Sequence, residues 1–269
     1  MSMRTYLMCS PEHFDVTYAI NPWMRPDQPS DPGLALQQWE RLRQTYIDLG
    51  HQVQLIQPVR GLPDMVFAAN GATVVNGIAF GARFRYPERA AEGVAYLDWF
   101  KSGGWTSVVP EHVNEGEGDI LTVPSPDGCR MLLAGYGFRS DQETAGELER
   151  VFGVPAVSLR LTDPRFYHLD TAMCVLDSGT AMYYPAAFDE EGLAVLSEVF
   201  GVLIEAKDED AEVLGLNAVS DGQHVVLPEQ ATGLADQLTK HGYTPVPVDM
   251  SELRKAGGGP KCCTLELRK

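Results

Sequence analysis

Residues 34–50, LALQQWERLRQTYIDLG, followed at once by residues 51–58, HQVQLIQP, decide how the chain is read. Apolar side chains at Leu34, Leu36, Trp39, Leu42, Tyr46 and Leu49 recur at close to helical spacing, and the run stops at Gly50. A glycine there accepts the left-handed conformation that ends many helices, and the next residues alternate as a strand does. The pattern returns four times. AAEGVAYLDWFKSGG (90–104) precedes WTSVVP, QETAGELERVFG (142–153) precedes VPAVSLRL, EEGLAVLSEVFG (190–201) precedes VLIEA, and ATGLADQLTKHG (231–242) precedes YTPVPVDM. A left-handed residue is therefore expected at Gly50, Gly104, Gly153, Gly201 and Gly242.

Between these units lie paired β runs, 64–84, 118–137, 171–185 and 216–229. Each is broken by a turn dipeptide: Asn76-Gly77, Asp127-Gly128, Ser178-Gly179 or Asp221-Gly222. The unit is strand, hairpin and helix, returning five times at intervals of about 40 to 55 residues. Such units bury their apolar faces against their neighbours, and a closed ring leaves no exposed end. The predicted fold class is α/β, five blades with pseudo-fivefold ββαβ-type repeats, in one domain over residues 1–269. The rival architecture is an ordinary doubly wound α/β sheet.

With 44% hydrophobic residues the chain can bury a substantial core. Its 37 acidic and 21 basic side chains give a formal charge of -16, which would repel phosphate backbones and anionic membranes. No nucleic acid and no membrane partner is expected; a small cation suits the field better, and a homo-oligomer stays open. The start MSMRTYLMCSPEHFDV lacks the basic-then-apolar order of a secretory signal, so the expected compartment is cytoplasmic. Five cysteines, Cys9, Cys129, Cys174, Cys262 and Cys263, form no C-x-x-C pair and no zinc-ligand spacing. No metal, cofactor or disulfide framework is expected; a working thiol is.

If the units are related by rotation, residues of equal phase meet at one mouth of the ring. At that phase stand Asp64 and Asn70; Glu115, Glu117 and Asp119; His168 and Asp170; Asn217; and GGGPKCCT (257–264). The glycines let backbone approach a ligand closely and Pro260 stiffens that approach, which lifts the cysteine above a small core residue. Backbone N–H groups, a histidine or a lysine nearby would favour its thiolate. His168 is the natural acid and base partner, since imidazole titrates at about 6.5. On a strand, Asp170 would share its face. His13, His51, His112, His224 and His241 lack such company and read as surface or packing residues. Asn21-Pro22-Trp23 reads as a pocket rim. Carboxylates beside a thiolate would repel an oxyanion, but they suit an electrophile that is itself a cation, and a planar guanidinium matches them. Cys262 would attack the guanidinium carbon, and His168 would protonate the leaving amine. His168 would then activate the water that hydrolyses the S-amidino intermediate.

Over nearly its whole length the chain resembles the guanidine-modifying amidinotransferase superfamily: arginine deiminases, dimethylargininases and arginine dihydrolases. HLD (168–170) and GGPKC (258–262) look like its histidine and cysteine motifs. The resemblance implies a five-bladed α/β propeller, or pentein, with Cys262 rather than Cys263 as nucleophile. It implies Arg89 (in YPERAAE) and Arg139 (in GYGFRSD) on the substrate carboxylate and Phe67 lining the pocket. GEGD (116–119) stands for the family's acidic segment, which puts the catalytic carboxylate at Glu117, displaced by one place, with Glu115 and Asp119 as neighbouring alternatives.

Dimethylargininases carry an acidic pair after PDxVF, where PDMVFAAN (63–70) has Ala69 and Asn70, and they lack an acid at the place of Asp170. With MCSPEHFDVTYAINPWM (8–24), these departures look most like arginine dihydrolases, which convert arginine to ornithine, carbon dioxide and two ammonias. An aspartate at position 70 would only accept hydrogen bonds; Asn70 also donates, and so could hold the ureido oxygen of citrulline for a second hydrolysis. The alternatives are dimethylargininase or arginine deiminase, then an amidinotransferase or a non-catalytic arginine sensor. The implied partner is a small cationic substrate, arginine or a methylated arginine.

Overall fold

A computed structural model describes residues 3–126 and 128–269. Its elements run in chain order as β1 (Thr5–Cys9), α1 (Pro32–Asp48), β2 (Gln52–Ile56), β3 (Ala72–Val75), β4 (Ile78–Gly81), α2 (Ala90–Ser102) and β5 (Thr106–Val108). There follow β6 (Ile120–Ser125), β7 (Gly128–Tyr136), α3 (Thr144–Phe152), β8 (Ala156–Arg160), α4 (Leu169–Ala172), β9 (Met173–Val175), β10 (Thr180–Tyr183), α5 (Glu190–Val199) and β11 (Val202–Glu205). The last are α6 (Asp208–Ala211), β12 (Val219–Ser220), β13 (His224–Pro228), α7 (Thr232–Lys240), β14 (Thr244–Val248) and β15 (Leu265–Glu266).

These strands make five three-stranded sheets of one topology. In four of them the middle strand pairs antiparallel with its predecessor and parallel with the strand beyond a helix: β3-β4-β5, β6-β7-β8, β9-β10-β11 and β12-β13-β14. The remaining sheet is completed from the far end of the chain. Strand β1 pairs parallel with β2 across α1, but its antiparallel neighbour is β15. Five separate sheets thus stand where the doubly wound alternative has one.

Helix α1 shows how the repeat forms. Asp31 caps it, Oδ1 accepting from Leu34 N at 3.0 Å, and Ala35, Gln38, Trp39, Leu42, Thr45 and Tyr46 turn inward at helical spacing. Leu36 falls outside that stripe and is exposed. Gly50, Gly104, Gly153 and Gly242 adopt φ of 86°, 77°, 68° and 89°, as expected of helix-ending residues. Gly201 does not: α5 ends at Phe200 in extended backbone, φ -113° and ψ 131°, and runs directly toward β11. Asn76 and Gly77 both have positive φ, as a tight hairpin requires. Of the Asp127-Gly128 turn, Asp127 lies outside the described residues.

The apolar interior is divided between the sheets. One cluster joins Tyr6, Trp39 and Tyr46 to Phe67, Met250, Cys262 and Cys263, so the cysteine turn is anchored by packing as well as by hydrogen bonds. Among the described residues no helix is long and apolar enough to cross a membrane.

Close packing makes one glycine costly to replace. A Cβ on Gly71 would lie 2.3 Å from Cγ of Tyr96, which is fully buried and whose hydroxyl donates to the Met65 carbonyl at 2.6 Å. Gly71→Ala is expected to cost at least about 2 kcal/mol in urea denaturation, whereas Gly242→Ala, strained only by its positive φ, should cost about 1 kcal/mol. Equal losses would mean that contact with Tyr96 does not limit this position.

Candidate active site

The segment 257–264 enters the core between β14 and β15, and its glycines are explained by what they touch. A Cβ on Gly258 would lie 2.1 Å from Cε1 of Phe67, and one on Gly259 would lie 2.9 Å from Oδ1 of Asn217. Asn217 clamps the turn. Its Oδ1 accepts from the backbone N–H groups of Gly259 and Cys262, both at 3.0 Å. Its Nδ2 donates to the Asp170 carbonyl and to Cys262 Sγ, both at 3.1 Å. The Cys262 thiol in turn donates to Asp170 Oδ2 at 3.4 Å, and its carbonyl accepts from Ala69 N at 3.0 Å. The glycine-rich turn does not by itself yield a thiolate. Burial, and then the Asp170 charge, push the Cys262 thiol well above its ordinary value, with the Gly259 amide acting the other way.

His168 stands in extended backbone immediately before α4, and Asp170 in the first turn of that helix, so the strand expected here is absent. Asp170 turns to Cys262, while His168 Nε2 lies 2.7 Å from Glu115 Oε2. Glu115 also accepts from Arg139 at 2.8 Å and from the Arg85 amide at 3.3 Å. Burial alone would raise this carboxyl, but Arg139 and then His168 outweigh it and hold it well below the usual carboxylate range. An ionised carboxylate only accepts, so Nε2 carries the hydrogen. Nδ1, buried and without a partner, is the nitrogen left for reaction.

Glu117, expected as the catalytic carboxylate, does not contact His168. Its oxygens accept from Lys261, Arg268 and the Glu266 amide. The cause is Gly116, left-handed at φ 56° and so tightly seated that a Cβ would lie 2.6 Å from the Ala69 carbonyl. That turn sends the carboxylates on its two sides in different directions, and the acid on His168 is Glu115.

The other acids are buried with distinct partners. Asp119 accepts from Ser140 Oγ at 2.6 Å and from the Leu169 amide at 3.0 Å, which fixes the start of α4. Burial pushes its carboxyl up to about 6 against the opposing pull of His168. Burial likewise raises Asp170 to about 7, opposed mainly by Lys261, and its Oδ1 has no partner. Asp64 Oδ2 accepts from Tyr18 at 2.8 Å while Oδ1 is unpartnered; burial raises this carboxyl against the Arg89 charge.

Arg89 and Arg139, expected on a substrate carboxylate, are both buried and engaged by protein groups. Arg89 binds Glu92 at 2.8 Å, Asn70 Oδ1 at 3.0 Å and the Asp64 carbonyl at 3.2 Å. Arg139 adds the Ile20 carbonyl, at 2.9 Å, to its Glu115 contact and lies 4.7 Å from the ring centres of both Tyr86 and Tyr167. Asn70 Nδ2 donates to the Glu115 carbonyl at 3.1 Å, so this side chain bridges Arg89 to the acid beside His168. Asn21 donates to the Ala256 carbonyl at 3.0 Å, and Trp23 Nε1 to that of Arg165 at 2.8 Å. With Tyr18 on Asp64, these bonds tie the segment 18–24 over the buried groups.

Tyr18, Ser140 and the clamping role of Asn217 escaped the sequence. Only Asn217 had a signal, its phase in the fourth repeat. Among the described residues no group of three or more His, Cys, Asp or Glu side chains is arranged to hold a metal ion.

No family model matches the chain. It is 54% identical over 264 residues to the N(G),N(G)-dimethylarginine dimethylaminohydrolase of Mycobacterium tuberculosis, covering 98% of this chain and 86% of that protein. It is 37% identical over 268 residues to the bifunctional arginine dihydrolase/ornithine cyclodeaminase ArgZ of Synechocystis, covering 97% of this chain but 37% of that longer protein. The crystal structure of the N-terminal domain of cyanobacterial ArgZ, a cysteine-to-serine mutant bound to substrate, superposes with a TM-score of 0.92 at 36% identity, covering 99% of this chain and 98% of that domain. A second structure of that domain, equally similar, holds a covalently bound reaction intermediate. The chain belongs to the guanidine-modifying superfamily that contains the dimethylarginine dimethylaminohydrolases and the arginine dihydrolases.

Proposed function

We propose that the protein hydrolyses free arginine through a covalent intermediate on Cys262 and carries the reaction to ornithine. The observation that carries this reading is that Asp64 and Asp170, flanking the thiol and the strap above it, each keep one buried carboxylate oxygen without a partner. An unsatisfied buried acceptor costs roughly 1–3 kcal/mol. The arginine guanidinium brings five N–H donors in a plane, whereas a dimethylated one loses two of them. The same reading takes the five sheets as blades of a five-bladed propeller forming one domain over residues 1–269.

The reaction follows from the groups present. A cation arriving beside Cys262 keeps Asp170 ionised against it and offsets the thiolate charge, and the thiol proton passes to His168 Nδ1, the unpartnered nitrogen. The sulfur attacks the guanidinium carbon. Nδ1 passes the proton it took from the thiol to the departing nitrogen, ammonia leaves, and Glu115 stabilises the ring while Arg139 holds Glu115. Nδ1 then accepts a proton from water as its oxygen adds to the amidino carbon, the C–S bond breaks to release citrulline, the proton on Nδ1 returns to the Cys262 thiolate, and the proton left over departs with ammonia as ammonium. A second attack, at the ureido carbon, releases ornithine, and the second water carries that carbon away as carbon dioxide with the remaining ammonia. Asn70 supports this second turn, because its amide has another N–H besides the one on the Glu115 carbonyl, suited to a ureido oxygen. Asn217 holds the sulfur in line and donates to it.

One observation favours a second reading, conversion of dimethylarginine to citrulline and dimethylamine: the 54% identity to the mycobacterial relative. Mass analysis of products from arginine and from dimethylarginine, assayed separately, decides. Ornithine from arginine is the expected result, and Asn70→Asp should then stop at citrulline. Turnover confined to dimethylarginine would establish the alternative.

Glu115→Gln is expected to lower kcat by about 10²- to 10⁴-fold. Glu117→Gln should leave the pH profile of kcat in place and instead lower the urea midpoint, since it strips Lys261 and Arg268 of their partner. The reverse pattern would return the catalytic carboxylate to Glu117.

Asp170 also makes stability depend on pH. Its folded value, about 7, exceeds the unfolded one, so the folded chain holds this proton more tightly. That contribution is complete below about pH 4 and is lost as pH rises through about 7. The stability of Asp170→Asn relative to the unsubstituted protein should therefore increase between pH 4 and 8, and a difference independent of pH would refute the assignment.

A further inference from the structure

A cavity of about 500 Å³ lies apart from the catalytic groups: neither Cys262, His168, Glu115, Asp64 nor Asp170 lines it. All five sheets contribute to its wall, through β1, the end of β3, β6 with β7, β9 and β12, together with the segment 261–269. In a chain of formal charge -16, its described lining holds four cations, Arg4, Lys261, Arg268 and Lys269, against one carboxylate, Glu266.

Positive charge and N–H donors are left over here. Glu266 Oε2 accepts from Arg4 at 3.1 Å and from Arg268 at 2.8 Å. Glu117, behind the wall, has both oxygens engaged by Lys261, Arg268 and a backbone amide. Arg4 uses one guanidinium nitrogen, Nη1, in a side-chain bond, so most of its five N–H donors stay open. Tyr6, 1% exposed and lining the cavity, has a buried hydroxyl with no partner, and so does Thr122. The excess of positive charge and the open guanidinium donors favour an anionic ligand, to which the Tyr6 and Thr122 hydroxyls can donate. Leu121, Val175, Leu176 and Val219 supply apolar wall beside it, which suits an organic body more than a bare ion.

We propose that this cavity binds a small organic anion, a carboxylate or phosphate head on an apolar body, with Arg4 and Tyr6 on the head. Arg4 is outside the catalytic machinery. Lys261, however, lines the cavity and is covalently joined to Cys262, so the two sites must be tested as separable.

Isothermal titration of Cys262→Ser protein at low salt, with benzoate and with phenyl phosphate, provides the test. Both probes carry one ring and differ in the head. At least one is expected to bind saturably, with the same Kd in the presence and absence of excess arginine, and the tighter of the two identifies the head group. Arg4→Gln is expected to weaken that binding by about tenfold or more. Because Arg4→Gln could fail to fold, hydrogen exchange on the Cys262→Ser protein gives a second reading: the probe should slow exchange in segments 3–6, 121–125 and 173–176. Absence of saturable binding by both probes, loss of binding when arginine is added, full binding by folded Arg4→Gln, or protection confined to other segments would each overturn the proposal.

Discussion

Two residue pairs, Tyr6 with Glu266 and Leu7 with Leu265, join the last strand of the chain to the first, and the position of the nucleophile depends on them. The other four sheets find their antiparallel neighbour in a local hairpin; this one waits for residues some two hundred and sixty positions away in the sequence. Contacts of such separation carry a larger loop-closure entropy than a local hairpin does. Leu267 N donates to the Thr5 carbonyl at 2.8 Å, Ala69 N to that of Cys262 at 3.0 Å, and Glu117 engages Lys261 and Arg268. Closure of the sheet and placement of the sulfur are therefore one event. The glycines before Cys262 belong to the same event, since Phe67 and Asn217 occupy the space that side chains there would need.

Around that sulfur, acids of similar chemistry are driven to different charge states by their neighbours. Glu115, touched by Arg139 and His168, is held ionised; Asp119 and Asp170, equally buried but less well compensated, are raised to about 6 and about 7. One carboxylate thus stays charged beside an imidazole while two others are shifted toward neutrality by burial. The arginines are what make this separation possible. Arg139, between two tyrosine rings, serves Glu115, and Arg89 serves Glu92, Asn70 and the Asp64 carbonyl.

The helices and hairpins were legible because each carries its own punctuation: a periodic apolar face, a helix-ending glycine, a turn dipeptide. Where a local signal misled or was absent, the reading failed. Gly201 looks like its four counterparts, yet Phe200 continues in extended backbone and needs no left-handed residue after it. The pairing of β1 with β15 involves too few residues to leave a pattern. Phase in the repeat brought His168, Asp170, Asn70, Asp64, Asn217 and Cys262 to notice, because rotation-related positions can be counted along the chain. The choice between Glu115 and Glu117 could not be counted; it turned on the φ angle of Gly116, which is set by backbone atoms of Ala69 and Ala72 packed against it. Tyr18 escaped for a similar reason, since its bond to Asp64 crosses between segments that share no periodicity.

The segment 18–24 bears on more than shape. Tyr18 holds Asp64, the Ile20 carbonyl holds Arg139, and Asn21 and Trp23 fasten the ends to Ala256 and Arg165. Lifting this strap admits water to Asp64 and removes its hydroxyl donor, while Arg139 loses one of the groups that orients it toward Glu115. The contacts of one short segment therefore bear on both Asp64 and Arg139. A substitution that loosens this segment would thus disturb the surroundings of a carboxyl and of a guanidinium together, although the two belong to different repeats.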